Sequence, residues 1–384
     1  VKLYWKAAGA LFVVLLAAGT IAAYETTDTA EIGFRGVAMQ VTESEERLAE
    51  KAQANNVPAA LPAPDTSGPL AAEEYENVQV LGHLSTGEFT RLMTAITTWV
   101  APNQGCAYCH NANNLASDEL YTKLVSRRMI QMTMHLNENW QGKHVKQAGV
   151  TCYTCHRGQP VPQYYWYEAP EKETAYRAAG FVAHQNAPTT RAGLSSLPNN
   201  AFSTYLDGDK NIRVQSDDAL PGKANNRSSI KQTEWTYSLM MHFSNSLGVN
   251  CTYCHNSRSW ADWSQSPAVR GTAWHGIRMV RDLNNEYLGP LAEVFPQGRL
   301  GPLGDAPKVN CMTCHQGAYK PLLGQNMVDA YPSLKAAQPQ PVVEETSDAS
   351  DAGARDGSPA ADGGVPMGTG SDAGSSAAAT DASP

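Results

Sequence analysis

Cys106-Ala107-Tyr108-Cys109-His110 is one of four strings of the same form in this chain. The others are Cys152-Tyr153-Thr154-Cys155-His156, Cys251-Thr252-Tyr253-Cys254-His255 and Cys311-Met312-Thr313-Cys314-His315. Each reads Cys-x-x-Cys-His, the attachment signature of a c-type haem. Two thiols one short turn apart form thioethers with the two porphyrin vinyls, and the next residue, histidine, binds iron as the proximal ligand. The strings use all 8 cysteines of the chain. A redox Cys-x-x-Cys would occur once and would not demand a following histidine four times. Paired zinc sites would be complete with four ligands and leave the histidines unexplained. A disulfide framework rarely has so regular a spacing. The strings therefore imply four covalently attached c-type haems with proximal ligands His110, His156, His255 and His315.

Working outward, each string follows a helical pattern. Phe89, Leu92, Met93, Ile96 and Val100 fall at helix spacing within Glu88–Val100, and Asp118–Trp140 carries a longer run with Leu120, Leu124, Met129, Met132 and Leu136. Glu234–Leu247 and Val269–Val294 precede the third and fourth strings in the same way. Local matches point to a duplication, with Asn250–Asn256 resembling Gly105–Asn111 and Arg278-Met279-Val280 echoing Arg128-Met129-Ile130. The expected fold is mostly α, a multihaem cytochrome c whose halves, 76–160 and 230–332, are joined by an irregular connector, 161–229. A strand is expected around Ile212-Arg213-Val214 in that connector.

Before this body, residues 24–75 read as an extended, proline-broken arm with a short charged helix over Glu43–Ala54. Lys2 and Lys6 precede an uncharged apolar run from Ala7 to Ala23, which reads as a single N-terminal membrane anchor in preference to a cleaved signal. No cysteine stands near residue 20 to carry a lipid. After Gln338 the chain turns to Ala, Gly, Ser, Asp and Pro, so 339–384 is expected to be a disordered acidic tail. A formal net charge of -8 over 384 residues disfavours nucleic acid and suits a basic partner protein. Covalent haem attachment takes place outside the cytoplasm, which fits an exported, membrane-tethered chain.

The sixth iron ligands separate an electron carrier from an enzyme. An iron held on both sides transfers electrons, whereas one with an open side does chemistry, and methionine raises the potential relative to histidine. Met93, Met129 and Met240 lie in the helices before the first, second and third strings. Methionine on an apolar helix face also simply fills core. Met129, Met132 and Met134 are not separable by spacing. The fourth site is open between Met279, which matches Met129 in the local echo, and His144. His83, His135, His184, His242 and His275 read as surface or supporting groups. A multihaem oxidoreductase, the rival class, needs a haem without a sixth ligand, and every string here has a candidate. A third reading is a donor subunit of some other membrane complex.

The chain resembles the tetrahaem cytochrome c subunits of purple-bacterial photosynthetic reaction centres. The resemblance rests on Gly33-Phe34-Arg35-Gly36, Val78–Leu81, Thr94–Thr97, Gly149–Gly158, Ser246-Leu247-Gly248 and Gly276–Asn284, and it runs from residue 33 to about 332. It implies three Met/His haems and one bis-His haem: Met93 with His110, Met129 with His156, Met240 with His255, and His144 with His315. One residue is inserted between Trp140 and His144 relative to the family pattern. The resemblance also implies that Arg270 lies near the third haem and raises its potential. The function it implies is electron transfer on the periplasmic side of the photosynthetic membrane, not enzymatic catalysis. Electrons would come from a soluble c-type cytochrome or high-potential iron–sulfur protein and re-reduce the bacteriochlorophyll pair of the reaction-centre core.

Overall fold

The computed structural model describes residues 2–22, 26–31, 40–170, 189–212, 214 and 230–335. The expected acidic tail lies outside the described residues. Helix α1 (Lys2–Ala22) contains an apolar window, Tyr4–Ile21, long and apolar enough to cross a membrane, and its side chains are exposed. An antiparallel pair, β1 (Thr27–Glu31) and β2 (Gln40–Ser44), leads into α2 (Glu45–Ala54), whose N-terminus is capped by the Ser44 hydroxyl.

Part of the described arm is packed down on the body. Asn55 is buried, and the Arg157 guanidinium donates to the Ala54 carbonyl (2.8 Å) and to Asn55 Oδ1 (3.2 Å). Farther on, Arg91 donates to the carbonyls of Leu61, Pro62 and Ala330, which ties the arm to the C-terminal end of the body. The prolines explain this. They remove N–H donors, so the backbone offers carbonyls that a guanidinium can satisfy.

After the short α3 (Ala71–Glu74) comes α4 (Thr86–Val100), opened by a capping box in which the Ser85 hydroxyl accepts from Glu88 N–H and the Glu88 carboxylate accepts from Ser85 N–H. Leu92, Ala95 and Trp99 form its buried face. Each large apolar side chain so buried contributes on the order of 2 kcal/mol. Helix α5 (Tyr121–Asn139) follows the first string, and the second string is itself one helical turn, α6 (Cys152–His156). Trp99, Ile130, Met134 and Cys152 share one apolar cluster with the C-terminal Leu322 and Leu334.

The second half is built on α7 (Ile230–Leu247), α8 (Val269–Asp282) and α9 (Cys311–His315), the last being the fourth string. Leu239, Ile277 and Leu283 pack there with Trp166, Phe202 and Leu206 from the connector. The expected strand at Ile212–Val214 is absent at Ile212 and Val214, and Arg213 lies outside the described residues. Ile212 instead turns its carbonyl to the Thr236 hydroxyl (3.1 Å) and lines a cavity with Val214. The connector's β-structure is elsewhere: β3 (Tyr165–Trp166) pairs antiparallel with β4 (Lys308–Val309).

The helical run to Val294 holds, but α-geometry ends at Asp282. Leu283–Leu288 is π-helical and Gly289–Glu293 is a 3-10 turn. Pro290 has no N–H for the Glu286 carbonyl, and Arg128 from α5 donates to that carbonyl instead.

Candidate functional site

The four strings fall into two local forms. The first and third are tight 3-10 turns, Gly105–Tyr108 and Cys251–Tyr253, followed in each case by an asparagine whose side chain accepts an N–H two residues on. The second and fourth are single α-turns. In each, a threonine hydroxyl accepts the N–H of the residue before the string, Thr154 from Thr151 and Thr313 from Asn310. Both then leave through a left-handed residue, Arg157 (φ 50°) or Gln316 (φ 48°), and a glycine. Gly158 N–H donates to the Trp99 carbonyl and Gly317 N–H to the Ser246 carbonyl, each at 2.8 Å, so each exit is pinned to α4 or α7.

The histidines share one feature that decides what they can do. Nδ1 of His110 lies 3.0 Å from the Leu115 carbonyl, of His156 2.8 Å from Gln159, of His255 3.1 Å from Trp260, and of His315 2.9 Å from Ala318. His144 repeats it, with Nδ1 2.8 Å from the Thr272 carbonyl. A carbonyl only accepts, so in all five rings Nδ1 carries a proton, and the neutral form of each ring has its lone pair on Nε2, the tautomer a metal-binding imidazole needs. The remaining described histidines do not share it: His135 Nε2 meets the Asp282 carboxylate at 2.6 Å, His242 is buried against the Ser246 hydroxyl, and His83 and His275 make no such carbonyl contact. His184 lies outside the described residues.

His144 and His315 face each other with ring centres 6.0 Å apart. Two imidazoles bound to one metal at about 2 Å each would stand at about this separation. Burial holds both below the usual imidazole range, and His144 helps push His315 down to about 4, so both are neutral donors. Helix α8 leaves room for this meeting at Gly276, where a Cβ would lie 2.6 Å from His144 Cε1 and 2.7 Å from its Nδ1.

A cavity of about 1360 Å³ with a mainly apolar wall opens beside these rings. It exceeds the about 300–1,000 Å³ of an ordinary small-molecule site. The third and fourth strings both line it, with Met240, Arg270 and the aromatic rings of Trp260 and Trp263. Burial holds His255 below its usual range and the Arg270 charge adds to that effect. The cysteines are all free, and burial pushes Cys152 up to about 11 and Cys311 up to about 12. Among the described residues, no group of three or more His, Cys, Asp and Glu side chains is arranged to hold a bare metal ion. Paired thiols, neutral imidazoles and an apolar cavity fit a ring-held iron.

Residues 24–335 match the family model of the photosynthetic reaction centre cytochrome C subunit. The chain belongs to this family. It is 49% identical over 329 residues to the photosynthetic reaction center cytochrome c subunit of Rubrivivax gelatinosus, covering 85% of this chain and 89% of that protein. It is 48% identical over 325 residues to the subunit of Thermochromatium tepidum, covering 84% and 79%. A more distant relative is cytochrome c-554 of Chloroflexus aurantiacus, 28% identical over 305 residues, 66% of this chain and 71% of that protein. Membership makes the chain a membrane-associated electron carrier of the reaction centre, with covalently bound c-type haem and the reaction-centre core as partner.

In this reaction-centre cytochrome two asparagines make matching backbone contacts before the second and fourth strings. Asn137 donates to the Val150 carbonyl (2.8 Å) and accepts Val150 N–H (2.7 Å), fixing the approach to the second string. Asn284 does the same to Val309 before the fourth (3.0 and 2.8 Å). At the separation these two asparagines set, Leu92 falls on Leu239, Met93 on Met240, Ile130 on Ile277, Met132 on Met279 and Leu136 on Leu283. At that same separation Met129 falls on Gly276 and Met132 on Met279. The Arg-Met echo lies most of a turn away from this register. Sequence reasoning did not single out Asn137, and it quoted Gly276 and Asn284 only within the stretch that carries the resemblance, with no structural role. The signal was available in the shared pattern Ile-x-Met-x-x-x-Leu-Asn, at 130–137 and 277–284.

The predicted methionines sit half-buried on apolar clusters, Met93 with Leu92 and Trp99, Met129 with Leu288 and Leu291, and Met240 with Leu239 and Phe202. Cys106 and Cys251 are exposed, while Cys155 and Cys314 are neighbours where α6 meets α9.

Proposed function

We propose that this chain carries four covalently attached haems and conducts electrons from a soluble periplasmic donor to the photo-oxidised bacteriochlorophyll pair. It acts as a carrier and not as an enzyme. The shared tautomer of the five histidines carries the reading. His110, His156, His255 and His315 serve as proximal ligands beside the thioethers of Cys106/Cys109, Cys152/Cys155, Cys251/Cys254 and Cys311/Cys314. Met93, Met129 and Met240 complete the first three sites and His144 the fourth. Support for Met129 over Met132 and Met134 comes from the register: its counterpart, Gly276, is the residue over which His144 reaches His315. The chemistry supplied by each haem is one-electron exchange between ferric and ferrous iron.

Neighbouring residues also suggest the order of the sites. Cys155 beside Cys314 makes the second and fourth sites adjacent, and the common cavity joins the fourth to the third. The exposed Cys106 and Cys251 suit the two ends. Near the first string Leu115 and Glu119 are exposed, and the Asn77 side chain, next to the exposed Glu76, reaches the Ala116 carbonyl, a surface suited to a basic carrier such as a c-type cytochrome or to an iron–sulfur donor with a matching face. At the other end, exposed Trp260 and Trp263 suit a tight interface with the reaction-centre core. The proposed organisation is an N-terminal anchor (1–23), an arm (24–75), a haem body (76–338) of two duplicated halves, and a tail (339–384), with the body on the periplasmic side.

The decisive experiment is purification of the chain from photosynthetic membranes with haem quantified against bacteriochlorophyll. Four haems per chain and haem oxidation after a light flash are expected. Purification free of bacteriochlorophyll would sink the assignment. Met240→His should lower the potential of one haem only, because histidine in place of methionine favours ferric iron. An unchanged redox titration would remove Met240 from the ligand set.

A further inference from the structure

The loop after the first string is organised by one buried cation. Lys123, in the first turn of α5, is 7% exposed, and its Nζ donates to the carbonyls of Leu115 (2.9 Å), Ala116 (2.7 Å) and Ser117 (2.9 Å). Asp118 Oδ1 lies 3.2 Å from the same Nζ. The Asp118 carboxylate is shared with Arg127, which grips both its oxygens at 2.9 Å, so two cations face one anion. The Leu115 carbonyl is also the acceptor of His110 Nδ1–H, at 3.0 Å. Leu115 exposes its side chain to solvent, so its backbone oxygen is the atom through which it acts on the site.

We propose that Lys123 is a positioning residue for the first haem site, which holds the carbonyl that orients His110 and raises the reduction potential of that site. A hydrogen bond from Nδ1–H to a carbonyl makes an imidazole a stronger donor to its metal. An ammonium on the same oxygen draws electron density from it and weakens that bond, so His110 donates less and ferrous iron is favoured. The net positive charge of the Lys123, Asp118 and Arg127 group acts in the same direction. Lys123 also stands at the position of Arg270 in the register set by Asn137 and Asn284, so each half offers a cation at the start of the helix behind its peripheral string. The inference rests on His110 being a haem ligand.

The test is a redox titration of the complete haem-loaded subunit, following the absorbance of each haem. Lys123→Gln is expected to shift one haem about tenfold toward the ferric form, about 59 mV for a one-electron couple, leaving the others in place. Lys123→Arg keeps the charge and should restore the potential. Asp118→Asn removes the anion and should shift the same haem the opposite way, an outcome that simple loosening of the loop would not produce. Equal shifts in one direction for Lys123→Gln and Asp118→Asn, or no shift in either, would overturn the proposal with haem attachment intact. A wild-type Cys106–His110 peptide found without haem would overturn the ligand assignment itself, and this proposal with it.

Discussion

Gly276→Val is expected to leave one haem of the four without its sixth ligand. The space above Gly276 is filled by the His144 ring, so a β-carbon there would stand at 2.6 and 2.7 Å from ring atoms. The ring has no slack to retreat, because its Nδ1–H is held by the Thr272 carbonyl one turn earlier on the same helix. Expulsion of His144 would leave His315 as the lone imidazole of the fourth site. The ferric spectrum should then show one high-spin haem, and its potential should move on the order of 100 mV, within the span of about 0.8 V that axial ligands command. His144→Ala should reproduce the signature without the clash. A fully low-spin spectrum and an unchanged titration in both variants would exclude His144 as a ligand.

The second large effect is on folding. Asn284 is fully buried, and its amide donates to the carbonyls of Leu206 (2.8 Å) and Val309 (3.0 Å) while accepting Val309 N–H (2.8 Å). Asn284→Ala removes the side-chain partner of the buried Leu206 carbonyl and of Val309 N–H, while the Val309 carbonyl keeps the Trp166 indole N–H (2.9 Å). At about 1–3 kcal/mol for each buried group left unpaired, partly relieved by relaxation, the loss should reach roughly 3–4 kcal/mol. Denaturant unfolding of the haem-loaded subunit would measure it, and the first sign should be misplacement of the fourth string two residues beyond Val309. Asn137→Ala should behave alike at the second string, where Asn137 also donates to the Leu334 carbonyl (2.7 Å). A loss below 1 kcal/mol would mean that the clamp is dispensable.

Much of the fold was legible. Helices α4, α5 and α7 follow from apolar spacing, although α4 begins at Thr86 rather than at the expected Glu88, because Ser85 and Glu88 cap it. The strand expected near Ile212 failed because β-branched residues also suit the wall of a cavity, and spacing does not say which surface will cover them. The echo of Met129 in Met279 rests on Arg-Met occurring in both helices, whereas Ile130, Ile277, Leu136 and Leu283 are buried. A two-residue echo is weaker than a face that must meet the core at every turn.

From the sequence alone the cysteines and histidines of the four strings already read as attachment groups, since attachment to one porphyrin requires those groups within a single turn of contiguous chain. Sixth positions are different in kind, because a side chain opposite His315 can come from any segment that the packing brings there. Only the tertiary structure set His144 over Gly276, paired Asn284 with Val309, and made Cys155 a neighbour of Cys314. These contacts join residues far apart along the chain, and burial of the helix faces between them is what brings them together.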